Sequence, residues 1–380
     1  MARRSGLRPL LRWVTWWPVP YWTDRFNRLA ERDEIRFEAI FLVGSDTQYR
    51  GLTQQPEEWR FSYRILDPRP SEIGFFRHRR LPGNPLPLVR GDSSLRLVMS
   101  YADPAYLAAA ALARARGVGY SLFVANTRFD QRPESAAREF LKRRMLRQAR
   151  SLLVTGPLQR EYALVYAPQA QVAVIGNPVD PSRLAGAAGH GSRADLRRAL
   201  GWSDGQVVLL FVGRLEPEKD LATLVQAAAE LRAGGDDVVL SVVGAGSVEE
   251  ELRGLATELG VPADFRGFRE GRELADLYAT ADVFVLPSAS EAWGLVVNEA
   301  MQAGLPVLVS DRVGSRHLIA PGVNGETFPC GDASALAAKL APYVRDPRRR
   351  VDAGAAGRSI IGAETIDAWI DRVLDGVGLT

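Results

Sequence analysis

Two cations stand next to an apolar run in the second half of the chain. Arg214 and Lys219 lie in the sequence VGRLEPEK, directly after residues 207–212. A planar guanidinium and an ammonium at the tip of a strand could together hold a diphosphate. In the alternative interpretation, Arg214 is solvated and Lys219 is paired with Glu216 or Glu218. The spacing by itself leaves both interpretations open.

Two acids form a second candidate group, in the sequence PSASEAWGLVVNEA. Glu291 precedes a helix that we expect to begin near Gly294, and Glu299 lies one to two turns inside it. The N–H groups of residues 293–296, at the start of that helix, suit a phosphate. Carboxylates beside an anion site could accept hydrogen bonds from the hydroxyls of a ribose or a hexose. Alternatively, Glu291 caps the helix and Glu299 is a surface residue.

A glycine-rich turn gives a third and weaker signal. Gly244 and Gly246, in the sequence VVGAGS, follow an apolar run and precede a segment of helical period. Glycines in such a turn let backbone N–H groups approach a ligand. An ordinary turn explains them equally well, and the third glycine of a dinucleotide-binding fingerprint is missing.

The elements that must position these residues alternate along the chain. Short β-branched runs are followed by longer segments of helical period, which is typical of βαβ units with a parallel sheet. A small-residue segment at 185–192 interrupts the alternation, which then restarts. We therefore predict an α/β fold of two doubly wound, Rossmann-like domains with a cleft between them, at residues 1–178 and 179–361. Open parallel sheets bind ligands beyond the carboxyl ends of their strands, where all three groups lie.

Individual element boundaries follow from the same pattern. In the first half, it predicts a strand at Trp13–Trp17 and a helix at Asp24–Arg32. In the second half, it predicts buried strands at Val207–Val212, Val238–Val243 and Val283–Leu286.

Composition excludes several classes of protein. A chain of 380 residues with 46% hydrophobic and 24% charged residues is globular and long enough for two domains. Its formal net charge of +3 is too balanced for a nucleic-acid binder. The single cysteine, Cys330, fits a reducing compartment, and the three histidines are scattered, so we expect no metal site. No apolar run approaches the ~18 residues that would cross a bilayer. We expect a cytoplasmic protein.

Taken in order, these motifs are similar to those of the retaining GT-B glycosyltransferases of family 4, the glycosyltransferase group 1 type. The resemblance is specific over about 206–345 and architectural in the first half. The motifs that carry it are VGRLEPEK at 212–219, VVGAGS at 242–247, Glu291 and Glu299 followed by AMQAGLPVLVSDRVG, and PGVNGETF at 321–328.

The resemblance implies a GT-B fold whose C-terminal helix, 362–380, packs back on the first domain. It also implies a metal-independent hexosyltransferase that retains anomeric configuration, without a cofactor and without an enzyme nucleophile. Catalysis in such an enzyme comes mostly from electrostatic stabilisation and positioning.

Roles for individual residues also follow from the resemblance. Arg214 and Lys219 would contact the donor diphosphate and Glu291 the donor sugar, and these three are the catalytic candidates. Glu299 would contact the ribose, and residues 266–268 would lie against the nucleobase. The full set of donor-binding candidates is Gly213, Gly244, Gly246, Arg266, Gly267, Phe268, Trp293, Gly294, Leu295, Val296 and Glu299.

The implied reaction moves a hexose from a nucleotide diphosphate sugar to a hydroxyl. UDP is the preferred nucleotide and GDP the second, and the acceptor is a saccharide, a lipid-linked sugar or a natural product. Two alternatives use the same fold: a non-catalytic nucleotide-sugar-binding scaffold and a nucleotide-sugar 2-epimerase.

The first half departs from the family pattern. Many members carry a glycine-rich turn after the first strand, whereas this chain has prolines and aromatics at residues 16–22. Tyr21 and Trp22 could stack on an acceptor sugar, or they could belong to the core. Asp103 and Asn126 complete the acceptor candidates. For Asp103 the alternative is a helix cap, and Asn126 stands where many members carry a histidine.

A basic segment, REFLKRRMLRQAR at residues 138–150, carries six cations and one acid. Its apolar residues make peripheral docking on the inner face of a membrane one interpretation. The other is a solvated basic face.

Overall fold

The computed structural model describes residues 8–44, 56–67, 84–101, 104–130, 135–187, 192–203 and 205–380. Contacts divide the chain into two units. The first consists of Met1–Asn126, Gln131–Gly176 and Ile366–Thr380, and the second of Thr127–Asp130 and Asn177–Thr365. The last 15 residues, Ile366–Thr380, therefore belong with the first unit, although the main part of the second unit, Asn177–Thr365, comes before them in the sequence. Within the described ranges, no helix combines the length and apolar character needed to cross a bilayer.

The first unit is a seven-stranded parallel sheet with helices between the strands. Its strand order is β3-β2-β1-β4-β5-β6-β7. In chain order, the elements are β1 Leu10–Thr15, α1 Pro20–Ala30, β2 Arg36–Val43, a 3-10 helix Pro56–Glu58, β3 Ser62–Asp67, α2 Leu86–Val89, β4 Arg96–Met99, α3 Pro104–Ala115, β5 Tyr120–Val124, α4 Ala136–Gln148, β6 Ser151–Val154, α5 Pro157–Tyr166 and β7 Val172–Val174.

The second unit is a six-stranded parallel sheet with the order β10-β9-β8-β11-β12-β13. Its elements, followed by the last helix, are a 3-10 helix Pro181–Ala187, α6 Arg193–Ala199, β8 Val207–Val212, a 3-10 helix Pro217–Lys219, α7 Leu221–Ala233, β9 Val238–Val243, α8 Glu249–Glu258, β10 Ala263–Phe265, α9 Gly271–Thr280, β11 Val283–Leu286, α10 Leu295–Ala303, β12 Val307–Ser310, a 3-10 helix Arg316–Leu318, β13 Gly325–Phe328, α11 Ala333–Arg345, α12 Pro347–Gly362 and α13 Ile366–Gly376.

Both sheets confirm the predicted fold class, α/β with two doubly wound, Rossmann-like units. In each sheet the strand order reverses at one place, between β1 and β4 in the first and between β8 and β11 in the second. The strands of the second unit that flank this reversal, β8 and β11, are buried along their whole length. Such runs of β-branched residues form strands because a parallel sheet covered on both faces buries both sides of every strand. The reversal matters because ligands bind in the crevice beyond the strand ends at that point.

The last helix, α13, packs on the first unit through one apolar stripe. Trp369, Ile370 and Val373 are fully buried, and the Trp369 ring lies 5.6 Å from the ring of Trp13 in β1. On the solvent side, Arg28 of α1 pairs with Asp367 at 2.9 Å. The stripe has a spacing typical of an amphipathic helix, which explains how residues so late in the chain complete the core of the first sheet.

The first strand and helix lie earlier than the sequence predicts. β1 is Leu10–Thr15 rather than Trp13–Trp17, and α1 begins at Pro20 rather than at Asp24. Proline is favoured in the first helical turn, where its missing N–H would have no partner in any case. Tyr21 and Trp22 therefore stand in the first turn of a helix and not in a loop.

Candidate functional site

The strongest candidates follow the two strands at which the second sheet reverses its order. Residues 213–219 leave the carboxyl end of β8, and residues 287–294 leave the carboxyl end of β11. These strands are direct neighbours and pair through Leu209 with Val283 and Leu210 with Phe284. The sheet thus brings together two segments that lie about 70 residues apart in sequence, at the place where doubly wound folds bind ligands.

An ion pair joins the two segments. The ammonium of Lys219 donates to the carboxylate of Glu291, and the two side chains are only 13% and 16% exposed. The backbone of the same segments is also joined, since the N–H of Ala289 donates to the carbonyl of Glu218 at 2.8 Å. Lys219 therefore pairs with the other candidate segment, rather than with Glu216 or Glu218 as the alternative interpretation predicted.

The backbone after Lys219 is held in an uncommon conformation. Asp220 has a φ of 48°, and among the described residues it is the only one besides glycines with a positive φ. The hydroxyl of Thr223 donates to the Asp220 carboxylate at 2.8 Å and stabilises this turn. A left-handed residue at this point costs on the order of 1 kcal/mol and turns the chain sharply from the 3-10 helix into α7. The turn fixes the direction in which Lys219 leaves the backbone.

Arg214 lies at the surface of the same turn. Its guanidinium is half-exposed and donates to Glu218 at 2.9 Å. This solvated position is the one that the alternative interpretation gave for Arg214. Because an exposed ion pair contributes at most about 1 kcal/mol, a ligand with two phosphates could replace Glu218 at little cost.

The start of α10 presents backbone N–H groups. Gly294, with a φ of 86°, is the residue at the N-cap and supplies no side-chain cap, so Glu291 is not the helix cap. A Cβ on Gly294 would lie 2.9 Å from the Leu286 side chain. Among the described residues, the amides of Gly294, Leu295 and Val296 have no hydrogen-bond acceptor.

The Trp293 side chain is packed away from those amides. It is buried, its indole N–H donates to Asn298 at 3.0 Å, and its ring lies edge-on to His317 at 5.4 Å. Burial lowers the pKa of His317, which keeps this imidazole neutral against the indole. As a donor-binding candidate, Trp293 therefore has only its backbone to offer.

Glu299 is a buried residue, with only 3% of its surface exposed, and not the surface residue of the alternative interpretation. The hydroxyl of Tyr278 donates to its Oε2 at 2.9 Å. Sequence reasoning missed Tyr278, because a tyrosine in a helix of ordinary amphipathic period gives no sign that its hydroxyl reaches a carboxylate on the next helix.

Two of the candidate glycines of the second unit, Gly244 and Gly246, lie against the backbone of a neighbouring turn. A Cβ on Gly244 would lie 1.8 Å from the carbonyl oxygen of Gly213, and one on Gly246 would lie 2.1 Å from that of Leu215. The N–H of Gly244 also donates to the carbonyl of Gly267 at 2.8 Å. These contacts require glycine even without a ligand.

The predicted nucleobase segment divides into two parts. The Arg266 guanidinium already has partners within the protein. It lies 5.0 Å from the Trp202 ring, donates to the carbonyl of Leu200 at 2.8 Å and pairs with Asp264. Phe268, in contrast, has an exposed ring. The segment therefore offers a base its backbone and the Phe268 ring, whereas the Arg266 side chain supports α6.

In the first unit, the partly buried Trp22 packs against the aromatic core, which is one of the two interpretations that the sequence leaves open. Its ring lies 5.1 to 5.5 Å from those of Trp13, Phe26 and Phe123. Packing against several aromatic rings is what fixes α1 on the sheet. Tyr21 is half-buried in the same helical turn.

The two remaining acceptor candidates follow neighbouring strands. Asn126, after β5, accepts a hydrogen bond from the hydroxyl of Tyr101 at 2.8 Å. Tyr101 itself follows β4, one of the strands at which the first sheet reverses its order. Asp103 lies outside the described residues.

The basic segment forms α4, whose charges are unevenly distributed. Lys142 is buried, pairs with Glu139 at 2.8 Å and lies 4.4 Å from the ring of Tyr166. On the opposite side, Phe140 is 63% exposed and Leu141 is exposed as well. Arg138, Arg144 and Arg150, on the helix and just after it, are exposed as well, whereas Arg147 donates through Nε to the carbonyl of Tyr166 at 3.0 Å.

Within the described ranges, the structure brings together no group of three or more His, Cys, Asp or Glu side chains that could hold a metal ion.

The sequence is similar to one known family and to several glycosyltransferases. Residues 192–360 match the family model described as glycosyl transferases group 1. A D-inositol 3-phosphate glycosyltransferase of Kribbella flavida is 35% identical over 246 residues, which are 60% of this chain and 56% of that protein. A GDP-mannose-dependent monoacylated alpha-(1-6)-phosphatidylinositol monomannoside mannosyltransferase of Corynebacterium glutamicum is 32% identical over 175 residues, 44% of this chain and 46% of that protein. The chain thus spans about half the length of these curated relatives.

Similarity of fold extends further. HepE of Anabaena, solved in complex with UDP, matches 97% of this chain and 99% of its own with a TM-score of 0.76 and 16% identity. This match supports the predicted GT-B fold class. Sequence similarity to the glycosyl transferases group 1 therefore covers residues 192–360, and similarity of fold covers nearly the whole chain.

Proposed function

We propose that this protein is a glycosyltransferase that moves a hexose from a nucleotide diphosphate sugar to a hydroxyl, with retention of anomeric configuration. The observation that carries the proposal is the Lys219–Glu291 pair at the strand reversal, next to the amides that begin α10. A cation and N–H groups suit a diphosphate, and a carboxylate suits sugar hydroxyls. No nucleophilic side chain is needed for this assignment.

The names of similar proteins support the same class of substrate. One relative is named for its dependence on GDP-mannose, and the structurally similar HepE was solved with UDP. We propose UDP as the first nucleotide and GDP as the second. A saccharide, a lipid-linked sugar and a natural product are the acceptor classes.

In the proposed mechanism, charge moves onto the diphosphate as the bond to the sugar breaks. The Lys219 ammonium, the Arg214 guanidinium and the α10 amides stabilise that charge, so the residues present need no metal ion for this step. Glu291 accepts hydrogen bonds from the sugar and holds it for attack by the acceptor hydroxyl on the same face. As the new bond to the sugar forms, the proton of that hydroxyl passes to the departing diphosphate oxygen. An incoming diphosphate competes with Glu291 for Lys219, which frees the carboxylate for the sugar at the moment of binding.

The test is a thermal-shift panel of UDP, GDP, dTDP and ADP, run in EDTA. A nucleotide at about 100 times its Kd should raise the Tm by about 5 °C, because it binds only the folded state. Arg214→Ala should reduce that shift, whereas Arg198→Ala, which removes an exposed arginine from the same unit, should leave it unchanged. A shift that needs added Mg²⁺ or Mn²⁺ would contradict the metal-free site, and no shift from any nucleotide would remove the proposal.

We also propose that α4 docks on an anionic membrane surface from the cytoplasmic side. The support is that Phe140 and Leu141 are exposed on the same helix as the exposed Arg138 and Arg144, a composition that suits the headgroup region. The full chain should sediment with vesicles that contain anionic lipid and not with neutral vesicles. Phe140→Ser should lower the fraction of protein bound to the anionic vesicles about tenfold, because the aromatic ring that enters the membrane surface is removed.

Val351→Ser is the matched control for this experiment, since it removes an equally exposed apolar side chain from α12. If both variants bind like the parent protein, or if neutral vesicles bind equally well, α4 is a solvated basic face.

A further inference from the structure

A short turn, Thr127–Asp130, belongs to the second unit by its contacts and lies next to the proposed sugar site. The Asp130 carboxylate closes this turn, because it accepts from the N–H of Thr127 at 2.7 Å and from the hydroxyl of the same residue at 3.2 Å. It also accepts from the hydroxyl of Ser290 at 2.8 Å. Ser290 directly precedes Glu291, so these hydrogen bonds hold the turn beside the residue that we assign to the donor sugar.

Two arginines, Arg128 and Arg312, converge on the ring of Phe129 in this turn. The guanidinium carbon of Arg128 lies 4.8 Å from the ring centroid, and that of Arg312 lies 5.6 Å from it. Both arginines are exposed, whereas Phe129 is half-buried. A guanidinium that lies over a ring keeps the N–H donors at its edge available for another partner. This arginine pair therefore presents donors around a single ring.

The order of the strands separates the arginine pair from the proposed diphosphate site. Arg312 follows the carboxyl end of β12, and Val313 next to it forms a β-bridge with Glu291. β12 adjoins β11 on the side opposite to β8, after which Lys219 lies. Neighbouring strands lie ~4.8 Å apart, so the segments that carry Lys219 and Arg312 leave strands about 10 Å apart. An anion at the arginine pair is therefore a different group from the diphosphate.

The carboxylates beside the arginine pair have other partners. Asp130 accepts the hydrogen bonds that close the turn, and Glu291 is paired with Lys219. Within the described part of the chain, neither Arg128 nor Arg312 forms an ion pair with a carboxylate. The positive potential of the two guanidinium groups therefore favours an anion from outside the protein.

We propose that Arg128 and Arg312 form a second anion site, which binds a phosphate monoester carried by the acceptor. The inference rests on the proposed function: a neutral hexose donor carries its charge on the diphosphate, so a second anion must belong to the acceptor. A phosphate monoester offers three oxygens and a charge of about −1.5 to −2 at pH 7, which suits two guanidinium forks better than one carboxylate does. The acceptor is then a soluble sugar phosphate or a lipid with a terminal phosphate.

The experiment measures binding of inorganic phosphate by isothermal titration calorimetry. Saturating UDP, or GDP if it gives the larger thermal shift, fills the diphosphate site first. The parent protein should then bind one phosphate with a Kd on the order of 1 mM. Arg128→Gln and Arg312→Gln should each raise this Kd about tenfold, because each removes charge-assisted hydrogen bonds. Arg312→Lys keeps the charge but loses the fork, so its Kd should be intermediate.

Arg198→Gln is the matched control. It removes another exposed arginine of the second unit, one that pairs with Asp195 at 3.2 Å, and should leave the Kd of phosphate unchanged. All of these side chains are exposed, so each variant should melt within about 2 °C of the parent protein.

Two phosphate esters distinguish the source of the phosphate. Glucose 6-phosphate is a soluble sugar phosphate, and a short-chain phosphatidic acid is a lipid phosphate that needs no vesicle. At least one of them should bind more tightly than inorganic phosphate, and its Kd should rise about tenfold in Arg312→Gln. The ester that binds more tightly identifies the source.

Several results would overturn the inference. If the parent protein binds no phosphate, or if both glutamine variants bind it like the parent, the arginine pair is not a phosphate site. If acetate binds as tightly as phosphate, the pair takes a carboxylate. If neither ester binds more tightly than inorganic phosphate, the site does not serve the acceptor. Failure of the parent protein to bind any nucleotide would instead be a failure of the proposed function. The acceptor role would fall with it, whereas phosphate binding by the arginine pair is measured separately.

Discussion

Lys219→Met is expected to lower the rate of sugar transfer by about 100- to 1,000-fold, the loss typical of removing one preorganised group that stabilises a leaving charge. The effect should appear in kcat, because the charge on the diphosphate develops as the bond breaks. The measurement is steady-state transfer with the donor that the nucleotide panel selects.

The same substitution also affects stability. Glu291 would lose its cation in a place where it is 16% exposed, and an unsatisfied charged group costs about 2 kcal/mol. The double variant Lys219→Met, Glu291→Gln should recover most of that stability and none of the activity. This comparison separates the catalytic loss from a folding defect.

Lys339→Met is the matched control, because Lys339 pairs with Glu326 at 3.0 Å in the same unit. It should transfer sugar like the parent protein. Parent-level transfer by Lys219→Met would remove Lys219 from the mechanism.

Gly244→Ala is expected to destabilise the protein by at least about 3 kcal/mol, since it adds overpacking to backbone strain. The new Cβ would lie 1.8 Å from the carbonyl oxygen of Gly213, and the backbone φ of 135° disfavours any side chain. In a unit of this size, such a loss lowers the Tm by roughly 10 °C. Differential scanning calorimetry measures it directly.

Gly254→Ala provides the control for that substitution. Gly254 lies inside α8, and a Cβ there would meet no atom within 4 Å. Alanine is the better helix former, so the Tm should stay the same or rise slightly. If Gly244→Ala melted within about a degree of the parent protein, the contact between these two turns would be less rigid than its geometry implies.

Three strands of the second sheet could be read from the sequence because they are buried on both faces. Val207–Val212, Val238–Val243 and Val283–Leu286 were predicted with the bounds that the structure has. The first strand was misplaced, because Trp16 and Trp17 extend the apolar run beyond the point where the strand ends. Hydrophobic pattern alone does not mark that end.

The candidate site could be predicted only as separate pieces. Sequence spacing indicated Lys219 and Glu291 but not that they pair, because their meeting depends on β8 lying next to β11. It did not distinguish a ring that stacks on a sugar from one that packs in a core, and Trp22 is the latter. Nor did it indicate that the hydroxyl of Tyr278 donates to Glu299.

The three lysines differ in exposure, so an amine-reactive reagent should not modify them equally. The chain has three lysines, Lys142, Lys219 and Lys339. Lys142 is buried against an aromatic ring and Lys219 is tied to Glu291, while Lys339 is 47% exposed. Among the lysines, an acylating label should therefore react first at Lys339, which allows a fluorophore or a surface linkage there while the candidate site stays unmodified. Lys219 can react only when its ion pair with Glu291 opens. The rate of labelling at Lys219 would therefore report how often that ion pair opens.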